Sequence, residues 1–306
     1  MGHYHKIAQA CRMVALGMAH EAGKGHVGTS LSSMDIIAAI RSLVREGDLF
    51  LSSKGHDALA QYSILAAWGI LTPEQLKTYR KPGGLPGHPT VEVPGIVCNT
   101  GSLGMGLSKA CGFVHAARLR AAVQDPADVM ASGRTAREEV SATAATGERL
   151  TPASRRVFVL LGDGEMSEGQ NYEAMLYAAR HDMGEITAVV DCNGWQQDGP
   201  AAMDAARIAL MFRAAGWTCE IVQGDADKLR RMFGMRGEGP TCWVVETAKG
   251  QGVSFIQADP VAWHNRAPTD EEFHKALEEL EHGRGQEDPI PRYVRSGATG
   301  GRGPID

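Results

Sequence analysis

The sequence predicts an α/β fold of three layers, with a mainly parallel sheet between helices, and three observations carry that expectation. From residue 157 onward, short apolar runs of strand character alternate with helical stretches. Strand alternating with helix builds a parallel sheet covered on both faces. The first strong strand candidate runs directly into a glycine-bearing turn and then a helix, the layout of a ligand site at the carboxyl end of a parallel strand. The residues before this region read as helices and glycine-rich loops, which can form a cover over that end of the sheet.

Residues 5–20 and 33–45 are predicted helices. In the second, Ile36, Ile37, Ile40, Leu43 and Val44 recur at helical spacing, and Ser32 or Ser33 is placed to cap its start. Between them, Gly23 to Thr29 reads as a glycine-rich loop. Residues 57–69 and 103–120 are further helices, and Lys81 to Pro94, with four prolines and three glycines, is a loop of fixed path. The strands expected downstream are Val157–Leu161, Ile186–Val190, Trp217–Val222 and Thr241–Glu246, with helices near 168–182, 202–215 and 225–234, and an acidic helix near 270–282. Residues 121–155, rich in Ala, Ser, Thr and charge, read as a surface insertion. Residues 284–306 read as a mobile tail. The remainder, residues 1–283, makes one domain.

Composition narrows the function classes. The 306 residues are 43% hydrophobic and 22% charged, ordinary for a soluble globular chain. A net charge of −5 gives no electrostatic reason to expect nucleic acid or a membrane surface as partner, so an anionic ligand needs a local site. No apolar run approaches the roughly 20 residues that span a bilayer. Met1 to Ala10 has no apolar core of the signal-peptide kind, which makes a cytoplasmic location the expectation. Cys11, Cys98, Cys111, Cys192, Cys219 and Cys242 show no CxxC spacing and sit mostly in apolar stretches, as buried reduced thiols do.

The chemistry concentrates after the first strong strand, in Gly162-Asp163-Gly164-Glu165 followed by Met166-Ser167-Glu168-Gly169. The turn puts a carboxylate at a strand end beside a helix N-terminus, which attracts phosphate oxygens. A carboxylate beside phosphate is repulsive unless a divalent cation lies between. The next strand ends in Val190-Asp191-Cys192-Asn193-Gly194-Trp195, so Asn193 can offer an amide oxygen to the same ion as Asp163. Oxygen donors of this kind suit magnesium or calcium. Each turn alone is ordinary, since Gly, Asp and Asn are common turn residues. The conjunction of the two, one βα unit apart, is what points to a metal–diphosphate site.

The stretch LLGDGEMSEGQNYEAMLYAARHDMGEITAVVDCNGWQQDG is similar to the thiamine-diphosphate motif of transketolases. The resemblance extends to GKGHVGTSLSSMDIIAAI, SSKGHDALAQY, LPGHPTVEVPG and NTGSLGMGLSKACG upstream and to ETAKGQG and WHNRAP downstream, in the order of the amino-terminal half of that family. It covers roughly residues 5–280 apart from the insertion and implies a thiamine-diphosphate-binding fold. By resemblance, Asp163, Asn193 and the carbonyl of Trp195 match the ligands of the metal. The cofactor contacts carry over to His56, Gly101, Ser102, Leu103, Gly164, Glu165, Asn193 and His264. The resemblance further implies that His26 and His88 face the sugar, that His264 lies close to both diphosphate and substrate, and that Glu168 belongs to a subunit interface. Loop histidines are usually solvated surface residues, and His3, His5 and His181 are expected to be so; the motif positions of the other four override that expectation. Neutral or protonated imidazoles there can donate hydrogen bonds and move protons.

The implied activity is transfer of a two-carbon ketol unit between sugars or sugar phosphates; the alternatives are another thiamine-diphosphate carboligase or 2-oxo-acid decarboxylase subunit, or a non-catalytic assembly subunit. The carboxylate that activates the cofactor's pyrimidine ring belongs, in the family, to a following domain. About 60 residues after Glu246 are too few for one, since domains typically need about 100 residues. A separate pyrimidine-binding carboxyl-terminal subunit, in an α2β2 assembly, is therefore the expected partner. The chain also departs from the family pattern. GHVGTS stands where GHPGGS is common, and WHNRAP where WHGKAP is common in separate-subunit relatives; both lie near the expected substrate channel.

Overall fold

A computed structural model describes residues 2–122 and 155–282. The body of the expected insertion and the whole expected tail lie outside the described residues. No helix among the described residues is long and apolar enough to cross a membrane.

The sheet has five parallel strands in the order β1-β2-β3-β5-β4, where β1 is Leu49–Ser52, β2 Val157–Gly162, β3 Ile186–Cys192, β4 Thr218–Val222 and β5 Thr241–Glu246. The four downstream strands lie where the sequence places them. Strand β1 is not evident from the sequence pattern: it is four residues long and pairs Leu49–Ser52 with Val157–Leu160 at the sheet edge. Successive side chains point to opposite faces of a strand, and the core divides accordingly. Phe158, Leu160, Val189, Trp243 and Val245 face one apolar cluster; Val159, Leu161, Ala188, Val190 and Val244 face the other.

On the first face lie α1 (His3–Ala22), α2 (Val27–Arg41), α3 (Ala58–Ala67) and α8 (Ala226–Phe233). On the second lie α5 (Met105–Ala122), α6 (Gly169–Arg180) and α7 (Ala205–Ala214). Three short or peripheral helices, α4 (Pro73–Leu76), α9 (Ser254–Ala258) and α10 (Asp270–His282), complete the described chain. This is the expected three-layer α/β/α arrangement. Helix α1 stops at Gly23, whose φ of 64° is the left-handed conformation that glycine adopts without strain.

Two local expectations are corrected. Helix α2 begins at Val27, not after Ser33, so Val27–Thr29 are helical and neither serine is a cap. Ser32 and Ser33 are buried inside the helix; Ser33 donates back to the carbonyl of Thr29 at 3.1 Å, and the single Ser32 hydroxyl proton is within reach of both that carbonyl at 2.9 Å and Asp191 Oδ2 at 2.8 Å. His5 is not a free surface residue: its Nδ1 lies 2.7 Å from Asp35 Oδ1 in a partly buried pair. His3 and His181 are exposed, as expected. The cysteines are all free; Cys98 is half-buried and the other five are buried.

Candidate active site at the carboxyl end of the sheet

Every strand of a parallel sheet delivers its following loop to the same side, and here the loops after β1, β2, β3 and β5 converge with the loop before α2. Strand β2 ends at Gly162 and presents Asp163; its neighbour β3 ends at Cys192 and presents Asn193, with Gly162 opposite Asp191 in the register. Asp163 is buried, and its only described partners are backbone amides: Oδ1 accepts from Gly164 N at 2.8 Å and Oδ2 from Gly194 N at 2.6 Å. Burial, followed by the charge of Asp191, pushes its carboxyl up to about 6. Asn193 Oδ1 accepts from Trp195 N at 3.1 Å, which folds the half-buried Trp195 backbone over the strand end, where it also pairs with Pro200. Among the described residues no three His, Cys, Asp or Glu side chains gather as a metal site. A cation beside Asp163 therefore needs amide and carbonyl oxygens as further ligands, the kind that Asn193 and Trp195 offer.

The four singled-out histidines meet, although they come from separate stretches of the chain, His56 and His264 each from a single 3-10 helical turn. The His26 ring centroid lies 5.8 Å from that of His56, 5.7 Å from His88 and 5.3 Å from His264, and His56 and His264 are 6.0 Å apart. His26 is buried, His56 and His264 are half-buried, and His88 is exposed at the mouth. Burial, then the neighbouring His264 and His88, takes His26 down to about 3. Burial and then Lys249 take His264 to about 4. His56 falls well below the usual imidazole value through burial and then Lys54, and His88 is lowered by partial burial and Arg80. At neutral pH the cluster is therefore four uncharged imidazoles, each with one N–H donor and one acceptor nitrogen. Two of those nitrogens, Nδ1 of His26 and Nδ1 of His264, are buried without a partner. Buried polar atoms are seldom left that way unless something else satisfies them.

The Gly101–Leu103 segment is exposed beside this chamber, and its anchors are buried. Gly104 N donates to Glu165 Oε1 at 2.7 Å and Gly106 N to Ser53 Oγ at 3.0 Å. A Cβ on Gly106 would sit 2.4 Å from that of Ser53, whereas one on Gly101 would meet nothing within 4 Å. Glu165 is placed differently from Asp163: its carboxylate also accepts from Ser53 Oγ and from Gly162 N, so both oxygens are used in tying three loops together. Glu168 occupies the N-cap position of α6 without a side-chain capping bond and is exposed. Gly164 follows Asp163, and a Cβ there would lie 3.0 Å from Gln196 Cβ.

Three charged residues of this region do not stand out in the sequence. Asp191 is fully buried and pairs with Lys54, itself buried. Burial works against the Lys54 charge, but Asp191 and Asp57 outweigh it and hold the ammonium above its usual value. Lys249 is buried, donates to the Gln196 carbonyl at 3.0 Å, and is lowered to about 8 by burial and then Lys54. It is a cation beside His264 without a carboxylate bonded to it, suited to an anionic ligand. Both lysines lie inside the motifs SSKGHDALAQY and ETAKGQG, and that position is the signal the sequence offers for them.

The chain matches the family model described as transketolase, thiamine diphosphate binding domain, over residues 3–232. It belongs to the transketolase family. It is 30% identical over 278 residues to an apulose-4-phosphate transketolase subunit of Phocaeicola vulgatus, covering 85% of this chain and 88% of that one. It is also 30% identical over 273 residues to Homo sapiens transketolase, of which it spans only 39%. Among solved structures, transketolase from Campylobacter jejuni superposes with a TM-score of 0.76 at 23% identity, over 97% of this chain and 46% of that one. The chain thus spans less than half the length of the Homo sapiens and Campylobacter jejuni transketolases.

Proposed function

We propose that this chain is the amino-terminal subunit of a split transketolase, moving a two-carbon ketol unit between sugars or sugar phosphates. The observation that carries this reading is the convergence of four neutral histidines beside Asp163 and Asn193. A thiamine-diphosphate-binding domain with those residues fits its cofactor: the orphaned imidazole nitrogen of His264, the buried Lys249 ammonium and the open Gly101 backbone are what an anionic, multiply hydrogen-bonded ligand would take up, and the orphaned nitrogen of His26 is left for the substrate. Asp163, Asn193 and the Trp195 carbonyl would hold a magnesium or calcium ion. His56, Gly101, Ser102, Leu103, Gly164 and His264 would contact the cofactor, while Glu165 would act through the loops it ties. Bound thiamine diphosphate supplies the nucleophile and electron sink for breaking and remaking a carbon–carbon bond.

The chain's own part is orientation and proton handling. His26 and His88 can each donate one N–H to a sugar carbonyl or hydroxyl oxygen, and His264 can serve both sides. A neutral imidazole carries one N–H donor and one acceptor nitrogen, so it can hydrogen-bond a substrate oxygen on one side and take up a proton on the other. The exposed position of His88 suits the first contact with substrate, and the buried position of His26 suits the reacting end.

The partner is proposed as a pyrimidine-binding subunit in an α2β2 assembly. Support comes from relatives that are named as transketolase subunits and match nearly end to end. The surface supports it as well: Leu103, Phe113, Leu176 and Tyr177 are exposed on and beside α5 and α6, in the layer where Glu168 occupies the N-cap position of α6. Free cysteines accord with a cytoplasmic site of action. The test is ketol transfer by this chain with thiamine diphosphate and magnesium, assayed with and without a candidate partner against ketose and aldose phosphates. Turnover only in the mixture is expected; robust turnover by the isolated chain contradicts the split reading.

A further inference from the structure

Asp191 is completely buried, at the end of β3, and its carboxylate is reached from three other segments and from Asn193, two residues on in its own. Oδ2 accepts from Ser32 Oγ at 2.8 Å, pairs with Lys54 Nζ and lies 3.4 Å from Asn193 Nδ2; Oδ1 accepts from Thr247 Oγ1. Each donor stands close in sequence to a residue of the candidate site. Ser32 is in α2, which follows directly from His26; Lys54 is two residues before His56; Thr247 is two residues before Lys249; and Asn193 is itself a proposed metal ligand. The Thr247 segment is also tied to the end of β3 by its backbone, Thr247 N donating to Cys192 O at 3.1 Å, whereas Ser32 and Lys54 come from outside that strand pair. A plain buried ion pair needs one partner, and Lys54 would suffice.

We propose that Asp191 is a positioning residue whose carboxylate clamps the segments bearing His26, His56, Asn193 and Lys249 into one chamber. It touches no ligand in this scheme and acts through the residues it holds. Outer partners of this kind set the orientation of the groups in front of them, and their loss typically weakens a site by 10–100-fold. The inference rests on the transketolase reading for its ligand, but the geometry it asserts exists in the chain without any ligand.

Structure and positioning can be separated because replacing a buried ion pair by well-packed apolar side chains is often neutral for stability. The double variant Lys54→Met/Asp191→Leu should keep its thermal midpoint within a few degrees of the wild type. Its affinity for thiamine diphosphate with magnesium, by titration calorimetry on the full chain, should fall by about tenfold or more. Wild-type affinity in the double variant overturns the proposal. Should that variant fail to fold, Thr247→Val removes one hydroxyl at the periphery of the network, and Thr247→Ser restores it. In the chain without cofactor, Thr247→Val should shift the imidazole NMR resonances of His26, His56 and His264 while those of His3, His274 and His282 stay fixed, and Thr247→Ser should return them. Unmoved cluster resonances in Thr247→Val overturn the proposal by themselves. Failure of the wild-type chain to bind thiamine diphosphate would instead contradict the functional reading, and the resonance test would still decide the role of Asp191.

Discussion

Asp35 and Asp163 are both buried carboxylates, and the chain treats them in opposite ways. Asp35 in α2 is bonded by Arg12 Nη2 at 2.6 Å, His5 Nδ1 at 2.7 Å and Ala226 N at 3.0 Å, which joins α1, α2 and the start of α8. Burial raises its carboxyl, but Arg12 and His5 more than reverse that and bring it to about 2. Asp163, at the carboxyl end of β2, receives two backbone amides and no directly bonded cationic side chain, and sits at about 6. One carboxylate is neutralised by its own chain and serves the fold. The other has no cationic side chain bonded to it, and it is the carboxylate proposed above to hold a divalent cation.

The strongest way to break this comparison is to remove each carboxylate in turn. Asp35→Ala leaves Arg12 buried without its partner and should cost about 3–5 kcal/mol of folding stability, measured by urea unfolding. Asp163→Ala should leave the stability of the cofactor-free chain nearly unchanged and abolish magnesium-dependent binding of thiamine diphosphate. Equal stability losses in the two variants would erase the distinction. Next in size is the effect on turnover. His26→Ala and His88→Ala in the reconstituted enzyme should slow ketol transfer by about 10²-fold while leaving cofactor affinity nearly intact. Wild-type turnover in both would remove these histidines from the reaction.

The pH dependence sharpens the contrast, because the two shifts have opposite sign. The stabilisation from Asp35 is complete above its ordinary value of 3.8 and is lost as pH falls through about 2. Asp163 binds its proton more tightly in the fold than in the unfolded chain. Its contribution is therefore most favourable at low pH and declines as pH rises from 3.8 through about 6. Subtracting the unfolding profile of Asp163→Asn from that of the wild type should expose a decline of roughly 2 kcal/mol over that window. With magnesium and thiamine diphosphate present the trend should reverse, since a metal ligand must be ionised. A flat difference profile would mean that Asp163 is solvated in the chain.

The smallest effects concern the glycine loop. Gly106→Ala forces a Cβ to within 2.4 Å of Ser53 and should cost roughly 1–3 kcal/mol in thermal unfolding. Gly101→Ala meets open space and carries only the strain of a φ of 123°, so it should weaken cofactor binding more than it weakens the fold.

Much of this architecture is legible in the sequence, and the remainder is hidden for identifiable reasons. Strands β2 to β5 announce themselves because each is an apolar run buried on both faces of the sheet or bounded by turn residues. Strand β1 does not, since Leu49–Ser52 is short and its pairing with β2 lies more than 100 residues away in the chain. The start of α2 is obscured by its serines, which resemble a cap; burial against β3 allows Ser32 to spend its hydroxyl on Thr29 or Asp191 instead. The histidines are readable from motif position, but their meeting at 5.3–6.0 Å depends on loops that only the sheet brings together. Lys54, Asp191 and Lys249 lie inside family motifs and are still silent, because charge in a sequence gives no sign of burial or partner. Glu165 and Asp163 stand two residues apart in one motif, yet one carboxylate is consumed by three loops and the other is not.

The central claim is that Asp163 awaits a divalent cation that bridges it to a diphosphate. Titration calorimetry of the full chain with thiamine diphosphate tests it most directly, run with magnesium, with calcium and with a chelator. Binding in the presence of either metal and none in the chelator is the expected result. Equal affinity in the chelator, or binding by Asp163→Ala as tight as by the wild type, would contradict it.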